Sequence, residues 1–312
     1  MSIRTAVIGV GALGQHHARI LKQHCNSILK FVVDIDEKRA KTIAKLNRTE
    51  YLTDFNKLVG NIDAAVIATP TQYHYRVAKQ LLCAGVHCLV EKPFTLSIIE
   101  AEELIKISKN KNLILQIGHV ERFNPAVIVA SSFINNPKFI EINRLGSYDC
   151  SRTNNVGVVL DLMIHDLDIL SFFLRSKVTF FEAHGAKVFS DTEDIAKVRL
   201  KYTNGCIADV SASRISIEKY RKIRIFQPDS YISIDYAKKS LKVYKKRNTN
   251  KRITSFRDIS FENPKLPSNE PLFYELDNFI NSVIKGKKPY VSGEQGKNSV
   301  ELALNILQNM VF

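Results

Sequence analysis

An aspartate and a histidine four residues apart, in Asp161-Leu-Met-Ile-His165, are a pair able to move a proton. On a helix that spacing points both side chains the same way, and a carboxylate beside an imidazole orients it and raises its basicity. A cation able to steady negative charge on a substrate oxygen stands in Glu91-Lys92-Pro93. A third stretch, Gly9-Val-Gly11-Ala12-Leu13-Gly14, has the G-x-G-x-x-G spacing of loops that receive a pyrophosphate. An acid/base pair, a cation and a nucleotide loop together suggest a dehydrogenase.

Elements of the right kind surround each motif. The glycine loop follows an apolar strand over Ile3–Ile8 and opens a helix over 12–24. Gly9 and Gly11 allow a tight turn and close backbone approach, Gly14 lets helix and strand pack, and the N–H groups near Ala12 and Leu13 face the anion. Asp34 ends the second strand, about 20 residues further on, where a carboxylate bonds the adenine ribose and disfavours a 2′-phosphate. NAD is therefore the expected cofactor, ahead of NADP. Thr69 and Pro70 end a strand over 64–69, at the carboxyl edge where doubly wound sheets bind ligands. His74, in the first turn of the next helix, either lines that cleft or packs beneath it. Glu91 and Lys92 end a strand over 86–90 at the same edge and complete the cofactor-binding set. Ser97-Ile-Ile-Glu100 reads as a capping box, and a strand over 114–118 closes the sheet.

Past His119 the pattern changes. Helical periodicity over 124–134 and 157–174 flanks a strand near 139–144, and short alternating strands dominate from 178, joined by turns such as Thr203-Asn-Gly205. Two helices, about 272–285 and 293–310, end the chain. The expected fold class is α/β: an N-terminal Rossmann dinucleotide-binding domain over 1–120, then an α+β domain over 121–312 with a large, mostly antiparallel sheet for substrate binding and oligomerisation. The 45% hydrophobic content supports two cores, and no apolar run reaches the roughly 18–20 residues of a membrane span. Five cysteines without a C-x-x-C pair suggest neither a zinc site nor a disulfide framework, so no metal is expected. The net charge of +14 comes without a nucleic-acid motif and reads as a lysine-rich composition. No nucleic-acid or membrane partner is expected, and the N-terminus lacks a leader pattern, which points to the cytoplasm.

The order and spacing of Gly9–Gly14, Ala68-Thr-Pro70 with His74, Glu91-Lys92-Pro93 and Asp161-x-x-x-His165 resemble the Gfo/Idh/MocA oxidoreductases over nearly the whole chain. The resemblance implies that Lys92, Asp161 and His165 are catalytic, that the peptide bond before Pro93 is often cis, and that the protein is a homodimer or homotetramer. Gly118-His-Val-Glu-Arg-Phe-Asn-Pro125 and residues 156–168 look like the members that oxidise the 3-hydroxyl of UDP-N-acetylglucosamine or its uronic acid. That makes a nucleotide sugar the expected substrate and adds Arg122, Asn124 and Arg152 to Lys92, Asp161 and His165 as substrate-binding candidates. Asn155 departs from the pattern, which has an aspartate before Val-Gly. Two alternatives stay open, an inositol or free-sugar dehydrogenase of the same family and a non-catalytic NAD-binding regulator, whereas a metal site at His165, Asp166 and Asp168 is disfavoured because His165 and Asp166 are adjacent and diverge on a helix. Which of Lys92 and His165 is the final base is not decided by sequence.

Overall fold

A computed structural model describes residues 2–148, 156–236, 238–249 and 252–312. The backbone forms two compact units, Met1–Val120 with Asn269–Glu301 and Glu121–Ser268 with Leu302–Phe312.

In the first unit, strands and helices alternate as β1 (Ile3–Ile8), α1 (Gly14–Gln23), β2 (Ser27–Val33), α2 (Glu37–Asn47), β3 (Glu50–Leu52), β4 (Ala64–Ile67), α3 (His74–Cys83), β5 (His87–Glu91), α4 (Ile98–Asn110) and β6 (Leu115–Gly118). The strands pair in parallel in the order β3-β2-β1-β4-β5-β6. This is the dinucleotide-binding order, with its switch point between β1 and β4. All four residues of β4 are buried, as strands covered on both faces require. Local chemistry sets the helix starts: Asp36 accepts the Arg39 N–H at the head of α2. The capping box expected at Ser97 does not form. Ser97 has the extended cap conformation but no side-chain cap bond, and its carbonyl accepts from Thr95 Oγ1 instead.

The second unit contains α5 (Pro125–Ala130), β7 (Phe139–Leu145), a π turn over Val159–Met163, α6 (Ile164–Leu174), β8 (Val178–Ala186), β9 (Ile195–Tyr202), β10 (Ile207–Ser213), β11 (Tyr220–Phe226), β12 (Ser230–Asp235), β13 (Ser240–Lys246) and β14 (Ile259–Glu262). The eight strands run in the order β14-β13-β12-β11-β7-β10-β9-β8, antiparallel except for the β7/β10 pair. Alternation turns Ile140, Ile142, Val198, Val210, Ile225 and Ile234 inward to pack with Val127, Leu167 and Leu170. On the opposite face Phe180, Lys201, Ile207, Phe139, Phe226, Tyr231, Tyr244 and Phe261 lie in register across all eight strands.

The chain ends with α7 (Pro271–Lys285) and α8 (Gly293–Gln308). Here the division differs from the expected 121–312. Helix α7 turns Leu272, Leu276, Phe279 and Ile280 into the core of the first unit, because an amphipathic helix buries its stripe on whichever apolar surface is available, whatever its place in the chain. The start of α8 also belongs there, with Gly293 and Gly296 against Ile105, Leu115 and Ile117. Among the described residues no helix is long and apolar enough to cross a membrane.

Candidate active site

In the first unit the candidate residues gather at the carboxyl edge of the sheet. Gly9 has φ +81°, and a Cβ on it would lie 2.7 Å from the Ala68 carbonyl oxygen. A Cβ on Gly14 would sit 1.8 Å from the Gly9 oxygen, so loop and helix can close only on glycine. At Gly11 a Cβ would meet nothing within 4 Å, which leaves the loop open to a ligand; Ala12 and Leu13 beside it are exposed. Asp34 is buried and orders this loop, accepting the Val10 N–H at 3.0 Å through Oδ2 and the Asp36 N–H at 3.0 Å through Oδ1. Half-exposed Arg39 lies 3.3 Å from both oxygens. A carboxylate has about four lone-pair sites, so a ribose hydroxyl that displaces Arg39 would still find an acceptor.

Thr69 is half-buried and Pro70 exposed at the end of β4. His74 resolves to the packed alternative. Its ring is 1% exposed, with Nε2 at 2.8 Å from the Thr69 carbonyl and Nδ1 at 3.0 Å from the Pro93 carbonyl. Burial lowers its pKa from 6.5, against the opposing pull of the two carbonyls and Glu91. It is packed between the ends of two strands, with one N–H to donate to one of the two carbonyls, rather than facing a cofactor. Glu91 is also turned inward: Oε1 lies 2.7 Å from His17 Nε2 on α1, and Oε2 accepts the Lys92 N–H at 3.1 Å. Its carboxyl group fills the space over Gly118, where a Cβ would come within 2.9 Å. Glu91 therefore relates to the cofactor only through the residue that follows it. Lys92 is half-buried, and the Lys92–Pro93 peptide is cis.

In the second unit Asp161 lies in the π turn and His165 is the second residue of α6. The wider turn changes the angular step between them from that of a regular helix, a departure that occurs often at functional sites. Asp161 is half-buried and His165 is 9% exposed. Glu193, unnoticed in the sequence, holds the start of this segment. Its carbonyl accepts the Val158 N–H and its Oε1 the Val159 N–H, both at 3.0 Å, and its carboxylate occupies the space that a side chain at Gly157 would need. No local sequence signal connects it to a helix 34 positions away.

Two arginines hold α6 from within its unit. Arg144 bonds both oxygens of Asp166 at 2.8 Å and Glu121 at 2.9 Å. Arg122 donates through Nε to Asp168 Oδ2 at 2.8 Å and through Nη2 to Oδ1, and its guanidinium lies 4.8 Å from the Phe172 ring centre. With both partners only 1% exposed, Arg122 is a structural cation and not the substrate arginine expected from sequence. Asn124 is likewise occupied: its Oδ1 caps α5 through the Ala126 N–H, and its Nδ2 donates to Glu121. The arginine clamps also take up the carboxylates that a metal at His165, Asp166 and Asp168 would need. Arg152 and Asn155 lie outside the described residues. Among those described, His17, Glu91 and Glu275 bring ligand atoms within 4.8 Å of one another, but both Glu91 oxygens already serve His17 and Lys92.

The pattern of the Gfo/Idh/MocA oxidoreductase family with its NAD-binding Rossmann fold matches residues 3–119, and that of the family's C-terminal domain matches residues 131–234. The chain belongs to the Gfo/Idh/MocA oxidoreductases. This Gfo/Idh/MocA member is 34% identical over 306 residues to the UDP-N-acetylglucosamine 3-dehydrogenase of Acidithiobacillus ferrooxidans, covering 97% of this chain and 96% of that enzyme. The solved structure of that dehydrogenase matches with a TM-score of 0.91 at 32% identity, over 99% of this chain and 98% of the other. The myo-inositol 2-dehydrogenase of Thermotoga maritima is 26% identical over 327 residues, covering 96% and 94% of the two chains. NAD is the cofactor of this oxidoreductase, and the open loop at Gly11 with the inward carboxylate of Asp34 fits it.

Proposed function

We propose that this oxidoreductase converts the 3-hydroxyl of a UDP-N-acetylhexosamine, UDP-N-acetylglucosamine or its uronic acid, to a 3-keto sugar. The observation that carries the reading is the 34% identity, over nearly the full length of both chains, to a UDP-N-acetylglucosamine 3-dehydrogenase. NAD, when bound, supplies the hydride acceptor. His165 takes the hydroxyl proton, Lys92 stabilises the negative charge that develops on the same oxygen, and Asp161 orients the base. Arg152 serves the pyrophosphate, since a guanidinium matches phosphate oxygens in pairs. The 3-keto product suits an aminotransferase, which places the reaction in the cytoplasmic synthesis of amino sugars for lipid A or cell-surface polysaccharide. We also propose a homodimer or homotetramer, because an antiparallel sheet with aromatic residues on its outer face calls for a covering partner.

The test is NADH formation from a panel of UDP-sugars, free sugars and inositols. UDP-N-acetylglucosamine or its uronic acid should give kcat/KM at least tenfold above every inositol. The second reading, favoured by the 26% relative that acts on myo-inositol, requires the reverse order. Binding of NAD without turnover of any member of the panel would indicate a regulator.

A further inference from the structure

The buried face of α1 carries a residue with no evident packing purpose. His17 is fully buried, on the same helix face as Ala18 and Leu21, where leucine would fill the space without the cost of desolvating an imidazole. Its partner explains it. Glu91 is the last residue of β5, and the carboxylate that accepts from His17 at 2.7 Å also accepts the backbone N–H of Lys92 at 3.1 Å. On the far side of Lys92, the Pro93 carbonyl lies 3.0 Å from His74 Nδ1. The Lys92 backbone is thus held by Glu91 and flanked by His74, both nearly inaccessible to solvent.

We infer that His17 is a positioning residue for Lys92, acting through Glu91. A carboxylate oxygen only accepts, so His17 carries its proton on Nε2 and presents it to Oε1, which turns Oε2 toward the Lys92 N–H. Glu91 is the last residue of β5, so a carboxylate fixed inward and bonded to the next backbone N–H holds the peptide from which Lys92 leaves the strand. Gly118 is part of the same device, because any side chain there would displace the carboxylate. Glu275 of α7 brings a third polar group within 4.8 Å, which keeps the cluster polar rather than part of the apolar core. Misplacing a catalytic group by about 1 Å costs on the order of 10²-fold in rate, so loss of this hold should register in turnover before it registers in binding. The inference rests on Lys92 being the catalytic lysine of the reading above.

The test compares full-length His17→Leu with His17→Gln, whose amide can reach Oε1 from the position of the lost Nε2. Expected for His17→Leu is a fall in kcat of at least tenfold, with KM for NAD and for the UDP-sugar within threefold of wild type. His17→Gln should return kcat to within threefold. Unchanged kcat in His17→Leu, or a parallel loss of NAD binding and thermal stability that His17→Gln does not repair, would overturn the inference. If His17→Leu does not fold, His17→Asn, whose amide stops short of Oε1, takes its place with the same two outcomes. A readout without substrate separates this from failure of the functional reading: the NMR resonance of reductively ¹³C-methylated Lys92, assigned with Lys92→Arg, should move in the disrupted variant and return in His17→Gln. That result with no sugar turned over by wild type would sink the substrate assignment and keep the inference. An unmoved resonance would sink the inference.

Discussion

Asp34 has two tasks at one strand end, holding the Val10 N–H of the glycine loop and placing a negative charge where the adenine ribose lies in this fold. The same charge ties up Arg39, 3.3 Å away. Asp34→Ala should therefore weaken NAD use by about 10- to 100-fold and, by releasing a guanidinium suited to a 2′-phosphate, move the NADP/NAD ratio of kcat/KM upward by on the order of 10²-fold. An unchanged ratio would mean that Asp34 does not face the ribose. His74 provides a second residue-scale expectation. Burial lowers its folded pKa below 6.5, so at pH values under 6.5 the unfolded chain takes up a proton that the folded chain resists. The stability contribution is present above pH 6.5 and lost as pH falls through the lowered folded value. Chemical denaturation from pH 7.5 downward should show a shallower loss in His74→Gln than in wild type.

At the scale of elements, the segment bearing Asp161 and His165 is supported by Glu193 at its start and by Arg122 and Arg144 along α6. Removing Arg122 alone leaves Asp168 buried without its bidentate partner, and Arg122→Ala should cost about 3–5 kcal/mol in urea unfolding. Replacing both partners by apolar residues, as in Arg122→Met with Asp168→Leu, should recover most of that. Full stability in the single variant would contradict the structural role assigned to Arg122. These supports also show where sequence stopped informing. The glycine loop and the strand end before Lys92 were legible because their spacing follows from strand-to-helix turns, whereas the π turn between Asp161 and His165 departs from the regular helical repeat that their spacing suggests. Arg122 and Asn124 were misread because residue type announces charge and polarity but not burial, and their partners Asp168 and Glu121 become evident only after folding. Glu193 and the His17–Glu91 contact join residues far apart in sequence, which periodicity does not detect.

Over the whole molecule, sheet existence and strand direction were readable from alternation and turn residues, down to Gly205 with φ +80° in the β9–β10 turn. The placement of β7 inside the sheet and of α7 in the first unit was not, since both depend on which apolar surface remains uncovered after the rest has packed. The outer face of the eight-stranded sheet carries a stacked row in which Phe139, Phe226, Tyr231, Tyr244 and Phe261 have neighbouring ring centres 5.0 to 6.1 Å apart. Phe226, Phe180 and Phe261 are 37%, 47% and 54% exposed. Light scattering after size exclusion should give a dimer or tetramer, and Phe226→Asp with Tyr244→Arg should yield a smaller species that still binds NAD. A monomeric wild type would refute the covering partner. Departure of a hydride from C3 of the nucleotide sugar is tested most directly with UDP-N-acetylglucosamine deuterated at C3. Mass spectrometry should find one deuterium in the NADH formed, with Lys92→Ala and His165→Asn slowing its appearance by about 10²-fold or more. Unlabelled NADH from that substrate, or transfer at the wild-type rate in both variants, would contradict the account.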